Sequence, residues 1–398
     1  MRLALSNIWL MPHRPLFLAA GLWAVVAIAW WQWGDAAGFA PPSLDTPVAW
    51  HAHEMIFGFG GAALAGYLLT TLSGWTGRAA TGGWLLGAIV ACWIAQRFAL
   101  ALAAVLPALL VLLPGLAYFG LVSGVLARGL HQGRVPGKWG FPLAVAAIGG
   151  GDAAFLLASL RGWPGLDSMV LIRGCVLGFA LLVSVVGGRM VVGFTDNWLR
   201  QTGRPVPPPA RKTAAARLGF ALLGAALALT LFNQTRASGL ALVAAGGVQA
   251  WRLAGWRSRH VGGNPLLWML HGGFGWLALG LVLLGAARLF PDHLSEADLV
   301  HGLTMGAMAG MILAVAARAA ARRAGGMLLA RRGLSAACLL LWAGTCLRLA
   351  VAPWPELRPW LTDGASLCWL AGWALFLRCF LPAALGPVQR PVFSGSRA

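Results

Sequence analysis

Ala49–Leu72, which reads AWHAHEMIFGFGGAALAGYLLTTL, decides the class of fold. It is long and apolar enough to cross a bilayer, which takes about 20 residues of helix. It opens on Trp50-His51-Ala52-His53-Glu54-Met55. Two imidazoles and a carboxylate are costly at membrane depth, so ionisable groups held there are functional candidates by default. Comparable apolar stretches lie at about 15–33, 83–103, 105–127, 139–160, 167–192, 214–234, 237–256, 265–287, 298–320, 333–352 and 363–385. The sequence therefore predicts an all-α polytopic bundle of about twelve transmembrane helices, a single integral membrane domain over residues 1–398 in the lipid bilayer.

Composition points the same way. Of 398 residues, 59% are hydrophobic and only 10% charged, against about 25% charged in a soluble domain. The mean hydropathy is +0.75. A net charge of +19 suggests nucleic acid as a partner, but its distribution excludes that: the basic residues sit in short loops between apolar runs, and no basic helix or aromatic-basic motif is present. Arg161, Arg236, Arg288, Arg348 and Arg358 fall on one side, Arg97 and Arg173 lie deeper, and the remaining Lys and Arg fall on the other side. The richest loop, 193–213, carries Arg200, Arg204, Arg211 and Lys212 around Pro-Val-Pro-Pro-Pro. This asymmetry predicts both termini in the cytoplasm. The N-terminal apolar run lacks a small-residue cleavage site and reads as a first transmembrane helix. The six cysteines lie in apolar stretches without a CxxC or CxxCH pattern and read as small buried hydrophobes.

Orientation converts position into depth at about 1.5 Å per residue. His51, His53 and Glu54 enter from the outer face, and His301 lies at a similar level. Arg97 sits one to two turns below that level, with Asp152 about 12 Å and Arg173 about 10 Å below their outer helix ends. These groups converge in the outer half of the bilayer. His51 and His53 are roughly 200° apart around a regular helix, so one is expected to ligate while the other bonds a neighbour. His301 lines up with Met305 and Met308, flanked by Gly302, Gly306 and Gly310. Glycine beside an axial histidine leaves room for a macrocycle, and haem suits the set, with bis-His or His/Met ligation and Arg97, Arg173 or Arg348 for propionates. The same glycines also suit close helix packing. Asp152 and Arg173 have a plainer reading as a structural ion pair. His271 falls in the inner half, where it either serves a second centre or hydrogen-bonds a neighbouring helix.

At these residues the chain resembles the NnrS family of polytopic haem- and copper-containing membrane proteins. The resemblance runs over nearly the whole length. It is carried by Arg14-Pro15-Leu16-Phe17, Ala49-Trp50-His51-Ala52-His53-Glu54-Met55-Ile56-Phe57-Gly58, Trp75-Thr76-Gly77-Arg78, Gly187-Gly188-Arg189 with Phe194-Thr195, Pro265-Leu266-Leu267-Trp268 with His271, and His301-Gly302-Leu303-Thr304-Met305-Gly306. It implies a twelve-helix bacterial inner-membrane protein linked to nitric oxide metabolism, denitrification and protection against nitrosative stress. It makes haem b the expected cofactor and His51, His53, His271 and His301 the ligand candidates, beside which the residue reading sets Met305, Arg97 and Arg173. Copper is a further implied cofactor, but Arg323 stands where the family carries a histidine, and a guanidinium cannot ligate a metal. Gly193 likewise replaces a family proline.

The leading function is thus a membrane haem protein that binds nitric oxide or protects against it, with turnover and electron donor undetermined by sequence. A secondary transporter or channel without cofactor is the first alternative, since intramembrane charges line transport pathways. A haem or copper assembly factor for a respiratory enzyme is the second.

Overall fold

The computed structural model describes residues 3–40, 42, 44–162, 165, 167–203, 207, 208, 210 and 212–393. Arg204, Arg211 and most of the Pro-Val-Pro-Pro-Pro turn lie outside these residues. The predicted spans are all helical: α1 (His13–Trp33), α2 (Pro47–Thr76), α3 (Gly83–Ala101), α4 (Ala108–Gln132), α5 (Gly140–Arg161), α6 (Ser168–Gln201), α7 (Thr213–Leu231), α8 (Thr235–Ala254), α9 (Pro265–Leu289), α10 (Glu296–Ala320), α11 (Arg332–Ala350) and α12 (Arg358–Leu385). Among the described residues, eleven helices are long and apolar enough to cross a membrane. The exception among the expected twelve is α8, in which Arg236, Gln249 and Arg252 dilute a helix of 20 residues. The protein is an all-α, multi-pass membrane bundle.

Local chemistry sets the ends. Thr46 caps α2 by accepting from the Ala49 amide at 3.2 Å, with Pro47 at the first helical position. Helix α6 continues to Gln201, through the first part of the loop expected at 193–213. Its last turns are amphipathic, burying Thr195, Asp196 and Leu199, and Arg200 pairs with Asp196 one turn back at 2.5 Å. A polar stretch of this kind reads as loop by hydropathy alone.

Two features escape the sequence reading. Three helices change register into π-helical segments, at Glu54–Gly60 in α2, Val183–Gly187 in α6 and Gly302–Ala309 in α10. Such insertions are rare and concentrate at functional sites. The first begins directly after His53 and the last directly after His301. Beyond α10, β1 (Arg322–Ala324) pairs antiparallel with β2 (Met327–Leu329), Arg323 opposite Leu328. The turn is Gly325-Gly326, both with positive φ, the conformation a two-residue hairpin demands.

The chain divides into two compact units, one up to Cys175 together with Leu377–Val392, the other Val176–Phe376 together with Phe393. In the first, α2 packs on α1 and α4, and α4 on α3 and α5. Trp50, Phe57, Phe59, Tyr118 and Phe155 are fully buried there. In the second, α7, α8 and α9 pack in sequence, and α10 lies against α9 and α11.

The glycine stripe of α10 explains the last contact. Gly302 faces the backbone of Gly280 in α9, Gly306 meets the Trp276 indole and Gly310 meets Trp342 Nε1. The space these glycines leave is therefore filled by protein. A Cβ on Gly280 would stand 2.7 Å from the Gly302 carbonyl carbon and 2.8 Å from the Leu303 nitrogen, backbone atoms that cannot step aside. Gly280→Ala is expected to cost about 1–3 kcal/mol in reversible unfolding in mixed micelles. Gly247→Ala, where a Cβ meets nothing within 4 Å, is expected to be neutral or to stabilise by up to about 1 kcal/mol. Equal losses at both positions would show that backbone contact is not what holds α9 to α10.

Candidate functional site

In the first unit, the start of the π segment in α2 organises a buried ionic cluster. His53 and Glu54 have no solvent exposure and Asp152 is 2% exposed. The His53 ring lies between two carboxylates, with Nε2 2.6 Å from Asp152 Oδ1 and Nδ1 3.3 Å from Glu54 Oε1. Glu54 Oε2 accepts from Trp23 Nε1 at 2.5 Å and stands 2.9 Å from Arg97 Nη1. The Arg97 guanidinium lies over the indoles of Trp23 and Trp93, 5.9 and 5.4 Å from their centroids.

Protons can be counted from these contacts. Ionised carboxylates only accept, so each His53 contact needs a proton, and a neutral imidazole carries one N–H. The His53–Glu54–Asp152 trio therefore holds one further proton, and with Arg97 the cluster is electroneutral. Neutrality is what lets four ionisable groups share an apolar interior.

The register shift helps to build this cluster. Trp93 Nε1 donates to the Gly58 carbonyl at 2.9 Å and the Tyr118 hydroxyl to the Gly61 carbonyl at 3.0 Å. Backbone groups in a bilayer must be satisfied by protein, and these side chains do so. A Cβ on Gly58 would overlap Arg97 Nη1 and lie 2.8 Å from Glu54 Oε2 and Trp23 Nε1, so glycine admits the ion pair. Gln96, 2% exposed, makes no hydrogen bond with either amide atom.

The depth argument thus brings His53, Glu54, Arg97 and Asp152 together but misassigns one partner. Asp152 bonds His53, and Arg173 is exposed, because matched depth does not fix direction around the helix. His51 points the other way from His53, half-buried, its ring stacked on Trp31 at 4.8 Å.

In the second unit, His271 is also enclosed. Its Nε2 meets Thr195 Oγ1 and its Nδ1 meets Ser258 Oγ, each at 2.9 Å. His301 is half-buried at the head of the third π segment. Its Nδ1 donates to the Asp298 carbonyl at 3.2 Å, which leaves the neutral ring's lone pair on Nε2, the tautomer in which imidazoles ligate metals. Met305 follows one turn later, half-buried. Arg348, a candidate for a propionate, is instead bound to the Asp298 carboxylate at 2.6 Å, alongside Arg358. Arg252 was not singled out by sequence. Its buried guanidinium bonds Ser184 Oγ at 3.0 Å and Gln249 Oε1 at 2.6 Å and tops the rings of Trp256 and Phe274.

The residues fit a haem in part. His301 has the ligand tautomer and His51 is half-buried at the head of α2. His53 and His271 have both nitrogens engaged, and the α10 glycines offer no open cradle. Among the described residues, no three His, Cys, Asp or Glu side chains form a group that could hold a metal ion.

No curated protein matches the chain. The family model described as NnrS protein matches residues 7–387, which include every long helix. On that match the chain belongs to the NnrS family and is a nitric-oxide-related membrane protein.

Proposed function

We propose that the protein is a haem b-binding protein of the bacterial cytoplasmic membrane, with both termini cytoplasmic, that binds nitric oxide or protects the cell against it. The observation that carries this reading is the His301 Nδ1–H bond to the Asp298 carbonyl. It fixes ring and tautomer as metal-ligating histidines are fixed, and it does so where α10 enters a π segment. In the second unit His301 would hold the iron through Nε2, with Met305 in reserve one turn later; in the first unit His51 is a separate candidate ligand, half-buried at the head of α2. Bound ferrous haem supplies a metal site for a diatomic gas. The chain's own part is to orient the imidazoles and keep the interior dry.

In this reading His53 and Arg97 do not touch the cofactor; they form the neutral cluster that fixes the start of α2. His271 takes a metal only by exchanging a hydroxyl partner, and with Arg323 at the family histidine position copper is expected to be substoichiometric.

The optical and electron-paramagnetic spectra of the purified protein, with iron and copper quantified, test the reading. The expected result is low-spin b-type haem that shifts on adding nitric oxide under reducing conditions. His301→Ala is expected to remove most of the haem, and His271→Ala to leave its iron content unchanged. Protein that folds yet purifies without haem or copper would instead favour a cofactor-free transporter. For that reading the buried His53–Glu54–Asp152 chain is the specific support, since such chains serve as proton relays.

A further inference from the structure

Arg318, in the last turn of α10, is 6% exposed, and among the described residues none of its contacts is with a carboxylate. Its Nε donates to the Phe393 carbonyl at 2.6 Å. Its guanidinium carbon stands 3.7 Å from the Phe194 ring centroid, a cation–π contact. Among the described residues, no protein hydrogen bond engages its two terminal nitrogens. Buried charges are normally paired, because an uncompensated one costs several kcal/mol. The nearest acid in sequence to Phe194, Asp196, is bound to Arg200. Arg323, in β1, is close enough to Arg318 for the two positive charges to repel each other.

This guanidinium lines a cavity of about 220 Å³. The other polar walls are the amides of Asn197, Gln201 and Asn264, the Thr202 hydroxyl and the Trp198 indole, and among the described residues no Asp or Glu lines it. Asn264 is the N-cap of α9. Its Oδ1 accepts from the Leu266 amide at 3.1 Å, so its Nδ2 remains a donor. The positive end of a helix of 25 residues therefore adds to the same field. The volume holds several waters at about 30 Å³ each and falls below the roughly 300–1,000 Å³ of sites for larger organic ligands.

We propose that this cavity binds a small oxyanion, such as nitrite, nitrate, phosphate or the phosphate of a lipid headgroup, held by the Arg318 guanidinium edge and the Asn264 amide. The bound anion supplies a counter-charge that no described Asp or Glu provides. Among the described residues no histidine lines the cavity, and the proposal does not depend on a cofactor.

Calorimetric titration of the full chain with sodium nitrite, nitrate or phosphate, at constant ionic strength, tests the proposal. It should be done in phosphatidylcholine and in phosphatidylglycerol nanodiscs. The expected result is saturable binding in phosphatidylcholine. Suppression in phosphatidylglycerol would make a lipid headgroup the usual occupant, whereas equal binding in both would make it a free anion. Arg318→Gln is expected to abolish binding. Asn264→Asp keeps an N-cap while placing a negative charge in the cavity, and should weaken binding at least about tenfold with no loss of thermal stability. It remains informative if the Arg318 variant fails to fold. No saturable binding of any of the three anions in phosphatidylcholine, or unchanged affinity in Asn264→Asp, would overturn the proposal.

Discussion

Arg97→Leu is expected to remove about 3–5 kcal/mol of stability, enough to unfold many domains outright. The substitution leaves Glu54, which has no exposure at all, facing Trp23 and His53 without its 2.9 Å guanidinium partner. The neutral cluster becomes a net anion in an apolar interior. Breaking one side of a buried pair costs far more than removing both, because the orphaned charge keeps its desolvation penalty. The double variant Arg97→Leu with Glu54→Gln restores neutrality while keeping an acceptor for the Trp23 indole. It should therefore lie within about 1–2 kcal/mol of the unmodified protein, giving a strongly non-additive cycle. Reversible unfolding in mixed micelles reads each corner. If the single and double variants lose the same amount, Arg97 acts by packing on Trp23 and Trp93 and the electrostatic account fails.

This cluster also shows what the sequence could reveal and what it could not. A bilayer allows little besides helices of about 20 apolar residues, so hydropathy placed all twelve long helices within a few residues at most ends. The main error, α6 ending at Gln201 instead of near 192, falls where the helix turns amphipathic and hydropathy loses its meaning. Ionisable residues stand out against such a background, and depth matching collected His53, Glu54, Arg97 and Asp152. Depth is only one coordinate. It could not show that Asp152 turns to His53 while Arg173 faces outward, because that depends on rotation about the helix axis. The π segments change rotation without changing composition. In α2 the shift begins at Glu54, the residue whose two oxygens join His53 to Arg97. Ser258 and Asp298 were missed for another reason: polar residues near helix ends look like ordinary surface. Asp298 had one available signal, two arginines at helix ends with no acid assigned to them.

That arrangement carries the second large effect. Asp298 is 1% exposed and accepts from Arg348 Nη1 at 2.6 Å and from Arg358 Nη1 and Nη2 at 3.1 and 3.0 Å. Its amide donates to the Ser295 cap at 3.2 Å and its carbonyl accepts from His301 Nδ1. One residue thus joins α10 to two arginines with its side chain and sets the His301 tautomer with its backbone. Asp298→Ala should cost about 3 kcal/mol, since it strands the largely buried Arg348. Arg358→Ala should cost less than about 1 kcal/mol, because its side chain is 48% exposed and Arg348 still neutralises the carboxylate. If His301 holds haem, the two variants should separate in a second readout. Asp298→Ala loosens the turn that presents Nε2 and should lower haem content at temperatures where the bundle stays folded. Arg358→Ala should leave haem content unchanged. Full haem in folded Asp298→Ala protein would mean that the ring is held by other contacts. The stability difference between the two variants would stand regardless, because it depends only on which arginine is buried.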